Sequence, residues 1–224
     1  MNPKFFRFLF AGRWAAPAGS ALLAAALLDG GCALLRPAKS ESHYYLLSAG
    51  VPDGAPRRDR TEPECFVRLL PVETADYLNT QAIAVRNGAN EINFASNDCW
   101  AEPLGAGVRR VVAEDLARAP DIRAVLTDQP RPATGLVYSV SIRIQAGEGV
   151  VRGQRGSVRF RAAWIVSGPE PATDMVAHGV FEPSPAGWQP GDYGALAEEL
   201  SRAVGDLGRT ISQGLPQSAG RSGP

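Results

Sequence analysis

Hydrophobic positions along the chain change their spacing several times, and each spacing predicts an element. Apolar and aromatic runs at 43–47 and 65–72 are typical of strands. Two further runs, 83–86 and 91–94, flank an Asn-Gly dipeptide, which favours a tight hairpin turn. The first part of the chain therefore predicts an antiparallel pair of strands.

The apolar spacing then lengthens to that of a helix. Five apolar residues recur at three- and four-residue intervals and share one face: Leu104, Val108, Val111, Val112 and Leu116. Pro103 suits the first helical turn. Trp100 is placed to pack on Leu104 across the helix entry. We expect this helix to lie on the sheet through its apolar face.

The second half of the chain returns to the spacing of strands. A short strand is predicted at 122–126, and long alternating strands at 135–145 and 157–167. The glycine-rich stretch 147–156 is expected to turn between the two long strands. One more strand is predicted at 175–182.

A second amphipathic helix follows these strands. Asp192 is expected to cap its amino-terminal end. Its one-sided apolar stripe comprises Leu196, Leu200, Ala203, Val204, Leu207 and Ile211. The order is therefore four strands, helix, four strands, helix. This order predicts an α+β fold, a two-layer sandwich of a mostly antiparallel sheet with two amphipathic helices.

The first thirty residues differ from the rest of the chain. Lys4, Arg7 and Arg13 precede a short apolar run at 20–28. A membrane-spanning helix needs about 20 apolar residues, so this segment is predicted to be a signal peptide and not a span.

Small residues precede Cys32 and are similar to a bacterial lipobox, whose Cys receives the lipid. Asp29 stands where that motif usually has an aliphatic residue. The alternative is ordinary cleavage after Ala26, which would leave a soluble secreted protein.

Four parts follow from these boundaries. They are a lipoprotein signal peptide at 1–31, a lipidated Cys and flexible stalk at 32–43, a single α+β domain at 44–213, and a disordered tail at 214–224. The stalk would reach at most about 35–40 Å when fully extended. The domain is therefore expected to stay close to its membrane.

The charge balance argues against a nucleic-acid surface. The chain has 23 basic and 23 acidic residues, and without 1–31 these become 20 and 22, a net charge of −2. Cys65 and Cys99 would remain after lipidation, in a compartment that permits disulfides. A Cys65–Cys99 disulfide is therefore predicted; the alternative is two small buried apolar residues.

Candidate chemistry is sparse. His43 and His178 lack Cys, Asp or Glu at metal-ligand spacing and are expected to be ordinary strand residues. No G-x-S-x-G motif is present, and the glycines at 147–153 miss the phosphate-loop pattern. Arg152 and Arg155 would form either a solvated hairpin tip or a contact with lipid head groups or an acidic partner. We expect no catalytic residue, no metal site and no cofactor.

Three residues are candidates for contact with a partner. Tyr77 and Leu78 lie in a predicted loop, and Trp100 precedes the first helix. Together they would form an exposed apolar patch. The alternative for each of them is packing in the core.

Several segments, in this order, resemble the ABC-type transport auxiliary lipoproteins, the PqiC-like group. After Cys32 they are Tyr44-Tyr45-Leu46-Leu47-Ser48, Val67-Arg68-Leu69-Leu70-Pro71-Val72, Tyr77-Leu78, Ile83-Ala84-Val85-Arg86 and Trp100-Ala101-Glu102-Pro103-Leu104. The resemblance implies a lipid-anchored protein that faces the periplasm. Ala33 follows the Cys, and the absence of Asp at that place in a lipoprotein favours export to the outer membrane. The partners that the resemblance implies are an MCE-domain substrate-binding protein and an ABC transporter permease and ATPase. Catalysis is not implied, and self-association stays open.

Two other functions stay open at this point. A lipid carrier would need a cavity lined by strand residues such as Ile142, Ile144 and Trp164. An envelope-assembly lipoprotein would instead activate a cell-wall synthase by contact.

Overall fold

The computed structural model describes residues 41–50, 65–172 and 174–216. These residues all belong to one compact unit that begins at Glu41. The predicted signal peptide, the predicted acylation site Cys32, most of the predicted stalk and the predicted tail after 216 lie outside the described residues.

The described elements follow the predicted order, and two short strands (Glu73–Thr74 and Ala186–Trp188) and a 3-10 turn are present in addition. The strands are β1 (His43–Tyr45), β2 (Cys65–Leu69), β3 (Glu73–Thr74), β4 (Ala82–Asn87), β5 (Ile92–Trp100), β6 (Ile122–Leu126), β7 (Leu136–Arg152), β8 (Arg155–Ser167), β9 (Met175–Phe181) and β10 (Ala186–Trp188). The helices are α1 (Leu104–Leu116), α2 (Tyr193–Gly214) and a 3-10 turn at Asp76–Leu78. His43 and His178 lie in strands, as expected.

A long antiparallel hairpin of β7 and β8 is the centre of the sheet. One edge of β7 receives β2, β3 and β4 in succession, all parallel to it. The far edge of β8 receives β9 and β10, both antiparallel. Outside these, β6 pairs with β2, β5 with β4, and β1 with β5. The length of the β7–β8 hairpin thus lets short strands line up end to end along it.

The predicted α+β class is confirmed. The finer expectation of a two-layer sandwich with a mostly antiparallel sheet is not, because five of the nine strand pairings among the described residues are parallel. Local alternation predicts strands but not their partners. The parallel neighbours of β7 are distant in sequence and carry no hairpin signal.

The predicted turn at 147–156 is wrong in extent. Strand pairing continues to Arg152 and resumes at Arg155, so only two residues form the tip. Glycines lie in this stretch because its neighbours approach closely. A Cβ atom at Gly149 would lie 2.7 Å from the ring of Trp188, and one at Gly147 would lie 3.2 Å from Leu104.

Both helices bury the predicted apolar stripes. All five stripe residues of α1 and all six of α2 lie in the core. Asp192 caps α2 as predicted, since its carboxylate accepts a hydrogen bond of 3.0 Å from the backbone N–H of Ala195. No helix within the described ranges combines the length and apolar character needed to cross a membrane.

Candidate functional site: the fastening of the amino-terminal strand

The strand β1 is where the chain from the predicted anchor enters the domain. It pairs in parallel with the end of β5, with His43 opposite Asp98 and Tyr45 opposite Trp100. The backbone N–H of Ala101 donates a 2.9 Å hydrogen bond to the carbonyl of Tyr45. A strand of three residues is at the short end of the range found in globular proteins, so contacts beyond its pairing add to its attachment.

An arginine of α1 holds the chain just after β1. The Arg110 Nη2 donates to the carbonyl of Leu47 at 2.7 Å and to Glu102 Oε1 at 2.7 Å. The hydrogen bond that Arg110 donates to Glu102 raises the pKa of the Arg110 guanidinium above its usual value. Glu102 thus orients Arg110 towards the carbonyl, and we call Glu102, Arg110 and the Leu47 carbonyl the Arg110 clamp.

A second contact joins the same segment to α2. The backbone N–H of Ser48 donates a 3.0 Å hydrogen bond to Ser201 Oγ, whose hydroxyl donates to the carbonyl of Ala197 at 2.7 Å. Leu47 between these contacts is buried in the core. The segment 43–48 is therefore fastened to β5, α1 and α2 at once.

The Trp100–Leu104 segment connects the end of β5 to the start of α1. Trp100 and Leu104 are 3% and 4% exposed and lie in the core. Glu102 belongs to the Arg110 clamp, and the carbonyl of Pro103 accepts the first hydrogen bonds of α1, from Ala106 and Gly107. This segment both starts the helix and secures β1, the first described strand after the predicted anchor.

Two of the three candidates for partner contact are buried, which agrees with the alternative of packing in the core. Leu78 and Trp100 are 4% and 3% exposed, because the 3-10 turn and the end of β5 direct them into the core. Tyr77 is half-buried, and its hydroxyl donates to the carboxylate of Glu148. These three residues therefore do not form an exposed apolar surface.

Glu148 is a fully buried carboxylate that the sequence pattern did not reveal. Arg86 Nε donates to its Oε1 at 2.8 Å, Tyr77 Oη donates to its Oε2, and Arg159 lies 3.7 Å away. The backbone N–H of Gly147 also donates to it at 3.2 Å. Burial is the main cause that raises the pKa of the Tyr77 hydroxyl, and the hydrogen bond that this hydroxyl donates to Glu148 raises it further. The cluster joins β4, β7, β8 and the 3-10 turn.

The predicted disulfide is not formed. Cys65 pairs with Leu136 at the start of β7, whereas Cys99 pairs with Ala82, near the other end of that strand. About ten residues of β7 separate the two levels, or roughly 30 Å, and a disulfide needs Cα atoms within about 7 Å. The Cys65 thiol instead contacts the carbonyl of Asp121 at 3.5 Å.

Two open clefts lie beside the helices. One of about 350 Å³ is at the amino-terminal end of α1, and one of about 950 Å³ runs between 48–50, the end of α1 and α2. In the larger cleft the Oδ2 atom of Asp115 is buried without a hydrogen-bond partner. Burial raises the pKa of this carboxyl. Across the described ranges, no three His, Cys, Asp or Glu side chains are grouped to hold a metal ion.

Comparisons with known proteins agree with this architecture. A crystal structure of an uncharacterised protein has a TM-score of 0.62 at 16% identity, covering 79% of this chain and 99% of the other. A protein from Xanthomonas campestris has the same TM-score at 16% identity, covering 76% of this chain and 93% of the other. No curated protein matches. At these identities the likeness shows the fold.

The family comparison covers the whole described domain apart from its ends. The model of the ABC-type transport auxiliary lipoprotein component matches residues 45–212. This range includes the Arg110 clamp, the Trp100–Leu104 segment and both helices. The chain therefore belongs to the family of ABC-type transport auxiliary lipoprotein components.

Proposed function

We propose that this chain is a membrane-anchored docking subunit of an MCE-type ABC lipid transport system. Acylated at Cys32, it holds its domain at the periplasmic face of the outer membrane. There it contacts the MCE-domain substrate-binding protein, which works with the permease and ATPase. The family match supports the transport role, and the signal and lipobox-like sequence support the anchor.

The fastening of 43–48 is the observation that carries this proposal. A tether must transmit any pull between membrane and partner through the first ordered strand. That strand is held by backbone pairing to β5, by the Arg110 clamp and by Ser201. Contacts to three separate elements distribute a pull over the domain.

A short connection to the membrane also suits a docking subunit. Ten residues, 33–42, separate Cys32 from the first strand. Such a chain averages roughly 18 Å as a flexible coil. Confinement of this kind raises the effective concentration of the domain near the membrane, so contact with a partner need not be strong.

The residues named for a lipid-carrying cavity weigh against the carrier alternative. Ile142, Ile144 and Trp164 are 2%, 0% and 7% exposed and pack in the core. Neither of the two clefts is lined by any of them. A lipid carried by this domain would need a different site.

Site-specific photo-cross-linking in cells tests the docking role. Cross-linkers are placed one at a time at exposed positions on different elements, such as Tyr44, Val180 and Glu198. A buried position, Val140, serves as the matched control because it faces no partner. We expect an MCE-domain protein to be captured from at least one exposed position.

Other results would contradict the proposal. Capture of a peptidoglycan synthase and no MCE-domain protein would favour the envelope-assembly alternative. Purification of the chain with one tightly bound lipid per molecule would favour the carrier. Cross-linking from none of the exposed positions would also count against docking.

A further inference from the structure

Two arginines at the β7–β8 tip differ from the other described arginines. Eleven of the fourteen lie within ion-pair distance of a carboxylate. Arg123 has no such carboxylate but lies over the ring of Phe66, 5.7 Å from its centroid. Arg152 and Arg155 have neither kind of contact in the described part of the chain, and both are exposed.

The two arginines are held side by side by the strand register. Arg152 is the last residue of β7 and pairs directly with Arg155, the first residue of β8. Gly153 between them has a φ of +62°, which suits a tight two-residue turn. Like charges opposite each other in a sheet are unfavourable. An anionic partner would relieve that repulsion.

This tip lies at the end of the sheet from which the chain enters the domain. His43 pairs with Asp98 and β1 runs parallel to β5, so Glu41 and Ser42 lead into β1 from the side where β5 begins. The turn at 88–91 precedes β5 and is beside the tip, because Asn87 pairs with Val151. The two turns together carry two arginines and one carboxylate, Glu91. Two positive charges and one negative charge give these two turns a net charge of +1.

We infer that the β7–β8 tip rests on the anionic phospholipid surface to which the chain is anchored. The inference rests on the proposed anchor at Cys32, since 33–42 can span at most about 35 Å. Arg152 and Arg155 then contact lipid phosphates, to which guanidinium groups bind with paired hydrogen bonds. Each basic residue at such a surface adds only a modest attraction. The anchor makes that sufficient, because the domain is already confined near the bilayer.

A consequence is that the domain has a preferred orientation. The tip end faces the lipid, and the opposite end of β7 with β2 and β6 faces away from it. Leu136 begins β7 sixteen residues before Arg152, or about 50 Å along the strand. The two ends of one strand therefore report on orientation independently.

Lipid-proximity quenching of the full acylated chain in vesicles measures this orientation. A fluorophore is attached at Gln154→Cys or, as the matched site, at Leu136→Cys, each in a Cys65→Ala/Cys99→Ala background, because Cys65 pairs with position 136. Vesicles contain phosphatidylethanolamine with or without phosphatidylglycerol, and a quencher on the lipid head group. We expect stronger quenching at position 154 than at 136, with the difference reduced by added salt and by omission of phosphatidylglycerol.

Charge reversal identifies the groups responsible. The double variant Arg152→Glu/Arg155→Glu should lower the population of the lipid-facing orientation, by roughly fivefold or more for each arginine removed. Arg123→Glu, which lies on β6 at the opposite end, should leave the quenching unchanged. Both variants must retain the wild-type thermal unfolding profile, which shows that the fold is intact.

The possible outcomes separate this inference from the proposed function. Equal quenching at 154 and 136, or quenching at 154 that charge reversal does not alter, would overturn the orientation. If charge reversal instead abolished cross-linking to a protein partner without altering quenching, the tip would serve an acidic protein surface and the inference would be wrong. Failure of the acylated chain to float with vesicles would contradict the anchor itself.

Discussion

Glu148 is the residue whose chemistry depends most on its burial. Its carboxylate is fully buried and accepts from Arg86, Tyr77 and the backbone of Gly147. Removing one partner of such a pair leaves the other charge buried without compensation. The group thus holds β4 and the 3-10 turn against the hairpin, although the net contribution of the intact pair is small.

We predict that Glu148→Ala lowers the free energy of unfolding by about 1–3 kcal/mol, because Arg86, Tyr77 and the backbone N–H of Gly147 lose their buried acceptor. Urea unfolding followed by tryptophan fluorescence measures the change. The matched control is Glu73→Ala, whose ion pair with Arg143 is 69% exposed on both sides and should cost less than about 1 kcal/mol. Equal effects of the two substitutions would show that the buried cluster does not hold these elements together.

Glu170 gives the domain a predicted sensitivity to acid. The hydrogen bond from Arg68 Nε, 2.8 Å long, and then that from Ser139, lower the pKa of this carboxyl. A carboxyl with a lowered folded-state pKa stabilises the fold above its ordinary pKa of about 4.3. That stability is lost as the pH falls through the folded-state value.

We therefore expect Glu170→Gln to be less stable than the wild type at neutral pH and equally stable once the pH lies below the lowered pKa. Thermal unfolding across an acidic pH series measures the difference. Ser139→Ala should reduce the difference without abolishing it, since Arg68 remains. A gap that stayed constant down to the lowest pH would mean that Glu170 acts through packing and not through its charge.

At the scale of elements, the Arg110 clamp gives β1 its attachment to α1. Arg110→Ala would leave the Leu47 carbonyl without this donor and Glu102 without its main partner. We predict faster hydrogen exchange at 43–48, with a local loss of about 1–3 kcal/mol. Arg202→Ala, which removes only surface pairs with Glu198 and Glu199, is the matched control. Unchanged exchange at 43–48 would show that backbone pairing alone fastens this strand.

The β8–β10 pairing depends on Gly156, which the sequence pattern assigns to a turn and not to a strand. A Cβ atom at Gly156 would lie 2.4 Å from the carbonyl oxygen of Trp188, whereas one at Gly187 would meet nothing within 4 Å. We predict that Gly156→Ala destabilises by about 1–3 kcal/mol through overpacking. Gly187→Ala in the paired strand should be close to neutral. Calorimetry of the two variants compares them directly, and a neutral Gly156→Ala would contradict the close approach.

Local spacing predicted most elements but not their assembly. The stripe from Leu104 to Leu116 and the cap at Asp192 depend on neighbours in sequence, and both were predicted correctly. The parallel pairing of β2 and β4 with β7 depends on contacts more than fifty residues apart. Glu148 was missed for the same reason, because its partners come from three other elements.

From the sequence, the Trp100–Leu104 segment could be assigned a resemblance to a family and the start of a helix, but not its contacts with the amino-terminal strand. Those contacts depend on the fold, since Leu47 and Arg110 are 63 residues apart. For Leu78 and Trp100, partner contact and packing in the core both stayed open, because apolar residues beside loops have no periodicity to indicate their direction. Their burial follows from the 3-10 turn and from the pairing of β5 with two strands.

At the scale of the whole molecule, the proposed function depends on an anchor outside the described residues. We predict that Cys32→Ser releases the protein from the membrane fraction. Two acyl chains hold a protein stably at a bilayer, and the serine variant has no thiol to carry them. Mass spectrometry of the amino-terminal peptide should find a diacylglyceryl group on Cys32 in the wild type. Cys99→Ser, in a strand of the domain, is the control and should remain membrane-bound. An unmodified amino terminus at another position, such as 27 after cleavage behind Ala26, would overturn the anchor.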